Sequence, residues 1–156
     1  MKKILITGGA GYIGSHTAVE LWNAGLEPII LDDFSNSHDT VLDRLAEITG
    51  KRFAFYKGDC NQREVLDQIS KDHQLEGVIH FAAFKAVGES TKQPLEYYKN
   101  NLGSLLVLLE FMQDMGIQNI VFSSSCTVYG QPDVLPVTEA TPRKDAESPY
   151  GNTKKI

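Results

Sequence analysis

The chain has 156 residues, 42% of them apolar and 22% charged, and carries a net charge of −5. That is an ordinary globular composition of one domain's length, able to bury roughly 68–70% of its unfolded surface. The negative balance argues against nonspecific binding to nucleic acid or an anionic membrane, and no apolar run approaches the roughly 20 residues that span a bilayer. Cys60 and Cys126 form no C-x-x-C or zinc-type spacing, which implies a reducing compartment, the cytoplasm. No signal peptide opens the chain, because Met1-Lys2-Lys3 is followed by only three apolar residues before a glycine run. With four histidines and no spaced carboxylates, no metal site is expected.

In chain order, Lys3 to Thr7 reads as a buried strand, followed by Gly8-Gly9-Ala10-Gly11-Tyr12-Ile13-Gly14. Gly9, Gly11 and Gly14 fit G-x-G-x-x-G, while Gly8, Gly11 and Gly14 fit G-x-x-G-x-x-G. Between a strand and a helix, such a loop allows a tight turn, close helix packing and the approach of a pyrophosphate to bare backbone. The helix start then offers free N–H groups and a positive dipole end to an anion. The alternative is a glycine-rich turn without a ligand. A helix follows from Tyr12 to about Ala24, with Asn23 and Gly25 as its stop. Pro28 to Leu31 is an unbroken apolar run, as a parallel strand covered on both faces would be.

Phe34 to Asp39 is polar and turn-like, and a helical spacing from Val41 to Ile48 ends at Gly50. Phe53 to Tyr56 reads as a third strand leaving through Gly58-Asp59-Cys60. Asn61 is a candidate cap for a helix whose core positions are Val65, Leu66 and Ile69. Gly77 to Phe81 is a fourth strand. After a loop, Pro94 to about Met115 is the longest helical pattern, and Ile117 to Phe122 a fifth strand running into Ser123-Ser124-Ser125. Residues 129–147 read as an irregular surface segment, and Ser148 as an N-cap with Pro149 at the first helical position. The alternation predicts an α/β fold, a doubly wound parallel sheet of Rossmann-like type with strand order 3-2-1-4-5 over residues 1–156. The last helix is short, and isolated short helices are marginal, so poor order is expected at Asn152 to Lys155.

Asp32 ends the second strand, eighteen positions after Gly14, where an acidic residue accepts hydrogen bonds from an adenosine ribose. A carboxylate there repels a 2′-phosphate, favouring NAD over NADP; a solvated strand-end Asp is the alternative. Tyr150-Gly151-Asn152-Thr153-Lys154 is Y-x-x-x-K, which puts phenol and ammonium on one helix face. A nearby cation favours phenolate, making the tyrosine a usable proton acceptor; an exposed Tyr–Lys pair is the competing reading. Ser125 lies at the carboxyl edge of the fifth strand, where ligands bind in open α/β sheets. Ser123 and Ser124 read as strand-terminating serines, and His80 as a satisfied structural histidine.

Together these residues resemble the extended short-chain dehydrogenase/reductase superfamily and, within it, the UDP-glucose 4-epimerase (UDP-galactose 4-epimerase) family. The resemblance covers essentially the whole chain through 7–17, 80–90, 94–98, 123–130 and 148–151, and its most specific segment is Lys85-Ala-Val-Gly-Glu-Ser90. It implies that Gly8, Gly11, Tyr12, Ile13 and Gly14 meet the NAD diphosphate and that Asp32, Asp33, Phe34, Ser35, Asn36 and Ser37 surround the adenosine ribose. Asp59 and Cys60 would flank the adenine, and Phe81, Ala82, Ala83, Phe84, Lys85 and Asn100 would line the way to the nicotinamide. Tyr150 would take the proton of the sugar 4-hydroxyl, Ser125 would hydrogen-bond the same oxygen, and Lys154 would hold the nicotinamide ribose. Lys85, Ser125 and Tyr150 are also the expected substrate contacts.

The implied reaction is oxidation of UDP-glucose or UDP-galactose at C4 to a 4-keto sugar, which turns over and is reduced on its other face. Asp33, Cys60 and Ala83-Phe84 depart from the family's usual residues. Family members are roughly twice as long and end in a domain that grips the uridine diphosphate. The chain is therefore expected to be an amino-terminal part, with little or no turnover alone and an uncertain share in the family's homodimer. A non-catalytic NAD-binding module is the alternative. A nucleotide-sugar 4,6-dehydratase is disfavoured, because that family carries an Asp-Glu pair where Cys126-Thr127 stand.

Overall fold

A computed structural model describes residues 1–156. Its elements are β1 (Lys3–Thr7), α1 (Tyr12–Asn23), β2 (Glu27–Asp32), α2 (Thr40–Thr49), β3 (Ala54–Lys57), α3 (Arg63–Asp72), β4 (Leu75–His80), α4 (Val87–Lys92), α5 (Pro94–Met115), β5 (Asn119–Phe122) and α6 (Pro149–Lys155), with a 3-10 turn at Cys126–Tyr129. The chain falls into two compact units. The first comprises Met1–Ala82 and Ser104–Phe122, the second Ala83–Gly103 and Ser123–Ile156.

The first unit is a parallel five-stranded sheet in the order β3-β2-β1-β4-β5, as the sequence predicts. Because strand side chains alternate between faces, its buried residues divide into two cores. Leu5, Ile29, Leu31 and Val78 meet Leu66 and Ile69 of α3 and Leu108, Phe111 and Met112 of α5. Ile6 and Ile30 instead meet Ala18 of α1, Leu45 of α2 and Phe53. With both faces covered, β1 and β2 must be apolar at successive positions, which is why neither shows the alternation of a half-exposed strand.

Several boundaries shift for local reasons. Asn61 does not cap α3: its side chain donates to Asp59 Oδ1 at 3.0 Å, and Gln62 occupies the cap position. The fifth strand begins at Asn119 rather than Ile117, because the Ile117 N–H is committed to Met112 O at 2.9 Å at the end of α5. The fourth strand starts earlier than predicted, at Leu75, pairing with Lys3. Residues 87–92 form the helix α4, which is too short to declare itself by periodicity.

In the second unit, residues 130–148 are irregular, as expected. The last helix, expected to be poorly ordered, is formed over Pro149–Lys155. Ser148 Oγ accepts from the Gly151 N–H at 3.1 Å, Pro149 stands at the first helical position, and Gly151, Thr153 and Lys154 are buried. The helix is not isolated. Asn152 Nδ2 donates to Tyr98 Oη at 2.8 Å, and Asn101 Nδ2 donates to Thr153 Oγ1 at 3.0 Å. Tertiary partners replace the length that nucleation would otherwise require.

Candidate active site

In the first unit the glycine loop is shaped by its neighbours. Gly8 has φ +69°, and a Cβ there would stand 2.8 Å from Ala82 N. A Cβ at Gly14 would overlap Gly8 O, so α1 can approach the loop this closely only without a side chain. Gly11 differs, since its Cβ would meet only Gly8 O, at 3.2 Å. The space in front of Gly11 is left open by the protein. The start of α1 has no side-chain cap and no acidic residue in its first turn, so its orphan N–H groups and positive dipole end are uncompensated. Tyr12 and Ile13, 78% and 59% exposed, flank that opening.

Asp32, only 8% exposed, ends β2 beside this loop. Its Oδ2 accepts from Ala10 N at 3.0 Å, and its Oδ1 from Phe34 N at 3.0 Å and Ser37 Oγ at 2.7 Å. A carboxylate accepts about four hydrogen bonds, so one position on Oδ2 is left over. Phe34 has φ +62°, a costly conformation for a bulky residue. It is held by the Asp32 bond and by stacking on Phe55 at 5.0 Å. Asp33, Ser35 and Asn36 are exposed, with Asp33 Oδ1 taking the Ser35 N–H at 2.8 Å.

Asp59 Oδ1 takes the Asn61 N–H at 2.8 Å. Cys60 is buried in the core formed with α3 and α5, and burial pushes its thiol up to about 12. Any ligand contact at Cys60 therefore falls to its backbone. Phe81 and Ala82 turn off β4, with Phe81 N bonded to Thr7 O at 3.0 Å. His80 Nδ1 lies 2.7 Å from Thr7 Oγ1, and the ring stacks on Phe122.

The second unit holds the hydroxyl, phenol and amine. Ser125 Oγ accepts from Thr127 N at 3.3 Å and from Thr127 Oγ1 at 3.0 Å. The bond between the two hydroxyls can run either way, so Ser125 can donate to Thr127 or to a ligand oxygen. Thr127 also packs on α6, since a Cβ at Gly151 would stand 3.2 Å from its Cβ. Tyr150 and Lys154 lie one turn apart on α6, and Thr153 Oγ1 donates to Tyr150 O at 2.7 Å. Lys154 is only 8% exposed, and burial lowers its amine to about 8. At neutral pH the greater share is still ammonium.

Ala83, Phe84, Lys85 and Asn100 also belong to the second unit, with Phe84 and Lys85 exposed. Asn101, 4% exposed, accepts on Oδ1 from Phe84 N at 2.8 Å and from Asn100 Nδ2 at 3.0 Å. Its Nδ2 donates to Phe84 O at 3.0 Å as well as to Thr153. Asn101, Thr127, Thr153, Tyr97 and Tyr98 carry this arrangement, and none of them is among the site residues expected from the sequence. The available signals are an amide beside Asn100 at the start of a long apolar helix and a second hydroxyl two residues after Ser125.

The sequence profile of the family described as GDP-mannose 4,6 dehydratase matches residues 5–156. The chain belongs to that family. Within the GDP-mannose 4,6 dehydratase family, it is similar to UDP-glucose 4-epimerases. It is 54% identical over 151 residues to the UDP-glucose 4-epimerase of Bacillus subtilis (strain 168), covering 97% of this chain and 44% of that one. It is 51% identical over 156 residues to the one from Neisseria meningitidis serogroup B (strain ATCC BAA-335 / MC58), covering 100% of this chain and 46% of the relative.

The crystal structure of the Bifidobacterium longum UDP-glucose 4-epimerase in complex with NAD+ and UDP superposes with a TM-score of 0.95 at 46% identity, covering 98% of this chain and 46% of that one. The enzyme from Stenotrophomonas maltophila with bound NAD and formylated UDP-arabinopyranose gives 0.93 at 45% identity, over 99% of this chain and 46% of that one. This family member spans about half the length of the curated relatives it matches.

Proposed function

We propose that this protein works in NAD-dependent epimerisation at C4 of UDP-glucose and UDP-galactose. The observation that carries the reading is the Ser125 hydroxyl. The Thr127 N–H and hydroxyl both bond its oxygen, which anchors Ser125 and leaves its hydroxyl able to bond a sugar oxygen. Proton acceptance at the sugar 4-oxygen then falls to Tyr150. Lys154 lies one helical turn further along the same helix, on the face that Tyr150 presents. Roles would be divided accordingly: Ser125 would hold the oxygen, and Tyr150 would remove its proton.

The first unit fits a dinucleotide. The open face at Gly11, the uncapped N-terminus of α1 and the spare acceptor on Asp32 Oδ2 suit a diphosphate and a ribose hydroxyl. NAD, when bound, accepts and returns the hydride of C4 by way of a 4-keto sugar. Gly8, Gly14, Tyr12 and Ile13 would border the diphosphate, and Asp32 to Ser37 the adenosine ribose. Asp59 and the Cys60 backbone would border the adenine. Phe81 to Lys85 and Asn100 would lie toward the nicotinamide, with Lys85 also reaching substrate. Lys154 would also hold the nicotinamide ribose. The free thiols of Cys60 and Cys126 suit a reducing cytoplasm. A homodimer, as the resemblance implies, belongs to the same reading and is checked by sedimentation.

A dehydratase reading would need a carboxylic acid and a carboxylate to eliminate water. Cys126 and Thr127 stand at that place, and the Thr127 hydroxyl is already used on Ser125. Titration calorimetry with NAD and then UDP-glucose tests the proposal, together with a UDP-galactose turnover assay. Binding of NAD followed by UDP-glucose, abolished for the sugar nucleotide by Tyr150→Phe with Ser125→Ala, is the expected result. Binding of NAD with no response to the sugar nucleotide would instead mark a non-catalytic NAD module.

A further inference from the structure

Lys85 is exposed, yet the backbone on each side of it is tied down. On one side, Asn101 holds both the N–H and the carbonyl of Phe84. On the other, the Ala86 N–H donates to Tyr97 Oη at 3.1 Å. The same phenol donates to Glu89 Oε2 at 2.6 Å, in the first turn of α4. Tyr97 is 1% exposed, and its ring packs against Phe84 at 5.5 Å. A phenylalanine would fill that space equally well, and a buried hydroxyl costs free energy unless it is bonded. The hydroxyl is therefore spent on a purpose that packing does not explain: it holds the turn leading into α4 from two points.

We propose that Tyr97 and Glu89 are positioning residues for Lys85. Their bonds hold the Ala86–Glu89 turn so that the exposed ammonium is presented in one place to an anionic or hydroxyl-bearing part of a dinucleotide. A long flexible amine loses conformational freedom when it binds, and a fixed backbone lowers that cost. Glu89 acts through its bond to Tyr97, a bond that an uncharged acceptor in the same place would still make. The inference rests on the cofactor reading given above.

A double-mutant cycle on the full chain tests it, with NAD binding read by titration calorimetry. Glu89→Ala and Tyr97→Phe are each expected to weaken NAD about fivefold when Lys85 is present and to add nothing in a Lys85→Ala background. Glu89→Gln, which keeps an acceptor for the phenol, is expected to stay within about twofold of the parent. Equal weakening with and without Lys85 would mean a merely structural role and would overturn the proposal. So would a Glu89→Gln variant as weak as Glu89→Ala, which would point to charge alone. If the parent binds NAD and Lys85→Ala binds it equally well, the positioning role falls while the cofactor reading stands. If the parent does not bind NAD, both fall.

Discussion

Each of the two units is held together internally by different physics. In the first, strands pair through backbone ladders, and the two sheet faces are closed by Leu, Ile, Val and Phe. Its candidate ligand groups are largely backbone: the glycine loop, the N–H groups at the start of α1, and a carboxylate oriented by Ala10 N and Phe34 N. In the second, the candidate groups are side chains, and polar side chains place them. Ser148 caps α6, Asn101 ties Phe84 to Thr153, Thr127 directs Ser125, and Tyr97 and Tyr98 hold α4 and α6. A backbone site survives most substitutions that spare its glycines. A site built on side-chain hydrogen bonds fails one bond at a time.

The largest expected effect breaks the apolar side of that contrast. Leu5→Ala removes a fully buried side chain from the centre of the sheet and should cost about 3 kcal/mol in urea or thermal unfolding. Next comes Asn101→Ala, which strands the Phe84 backbone groups and Thr153. A loss of about 2 kcal/mol is expected, with hydrogen exchange accelerated at Phe84 and Thr153 and little changed in β1 and β2. Uniform acceleration across both units would remove the distinction between them. Ser148→Ala should cost about 1 kcal/mol, and its signature is faster exchange at the Gly151 amide.

The smallest effect concerns pH and tests whether the first unit also contains a side-chain network. Lys3 Nζ, which can only donate, lies 3.1 Å from His73 Nδ1, so that nitrogen accepts. The ring proton then sits on Nε2, 3.0 Å from Tyr56 Oη, and Tyr56 donates to Asp72 Oδ2 at 2.8 Å. Burial, then the Lys3 charge, holds His73 below its ordinary value, with Asp72 and Glu27 pulling the other way. A histidine lowered on folding contributes stability that is present above its unfolded value of about 6.5 and lost as pH falls through its folded value. Melting temperature should therefore drop more steeply on acidification below about pH 6.5 in the parent than in His73→Gln. Parallel curves would show that the chain of bonds carries no linkage.

Much of the fold was legible because its signals are local. The apolar runs at Ile4-Leu5-Ile6 and Ile29-Ile30-Leu31 mark buried strands, and right-handed crossovers with the glycine loop on the first strand imply the order 3-2-1-4-5. The Y-x-x-x-K spacing and the Ser148-Pro149 start located α6 to the residue. The turn at 126–129 and the helix α4 are too short for a period to register. Asn61 misled because α3 starts one residue later than its position would require, with Gln62 at the cap. Ile117 misled because an apolar residue can close a helix as readily as open a strand.

By itself, then, the sequence determined the elements, the sheet order and which residues could bind a dinucleotide or move a proton. These follow from periodicity, glycine content and side-chain chemistry, which act over a few residues. Only the tertiary structure decided which partners hold those residues in place. Thr127 lies close enough in sequence to be noticed, but that it bonds Ser125 through both its N–H and its hydroxyl depends on the 3-10 turn and on contact with Gly151. Asn101 reaches Thr153 across 52 positions, and Tyr97 reaches Glu89 and Ala86 from another helix. Hydrogen bonds are short-ranged and directional, so a partner distant in sequence leaves no trace until the chain is folded.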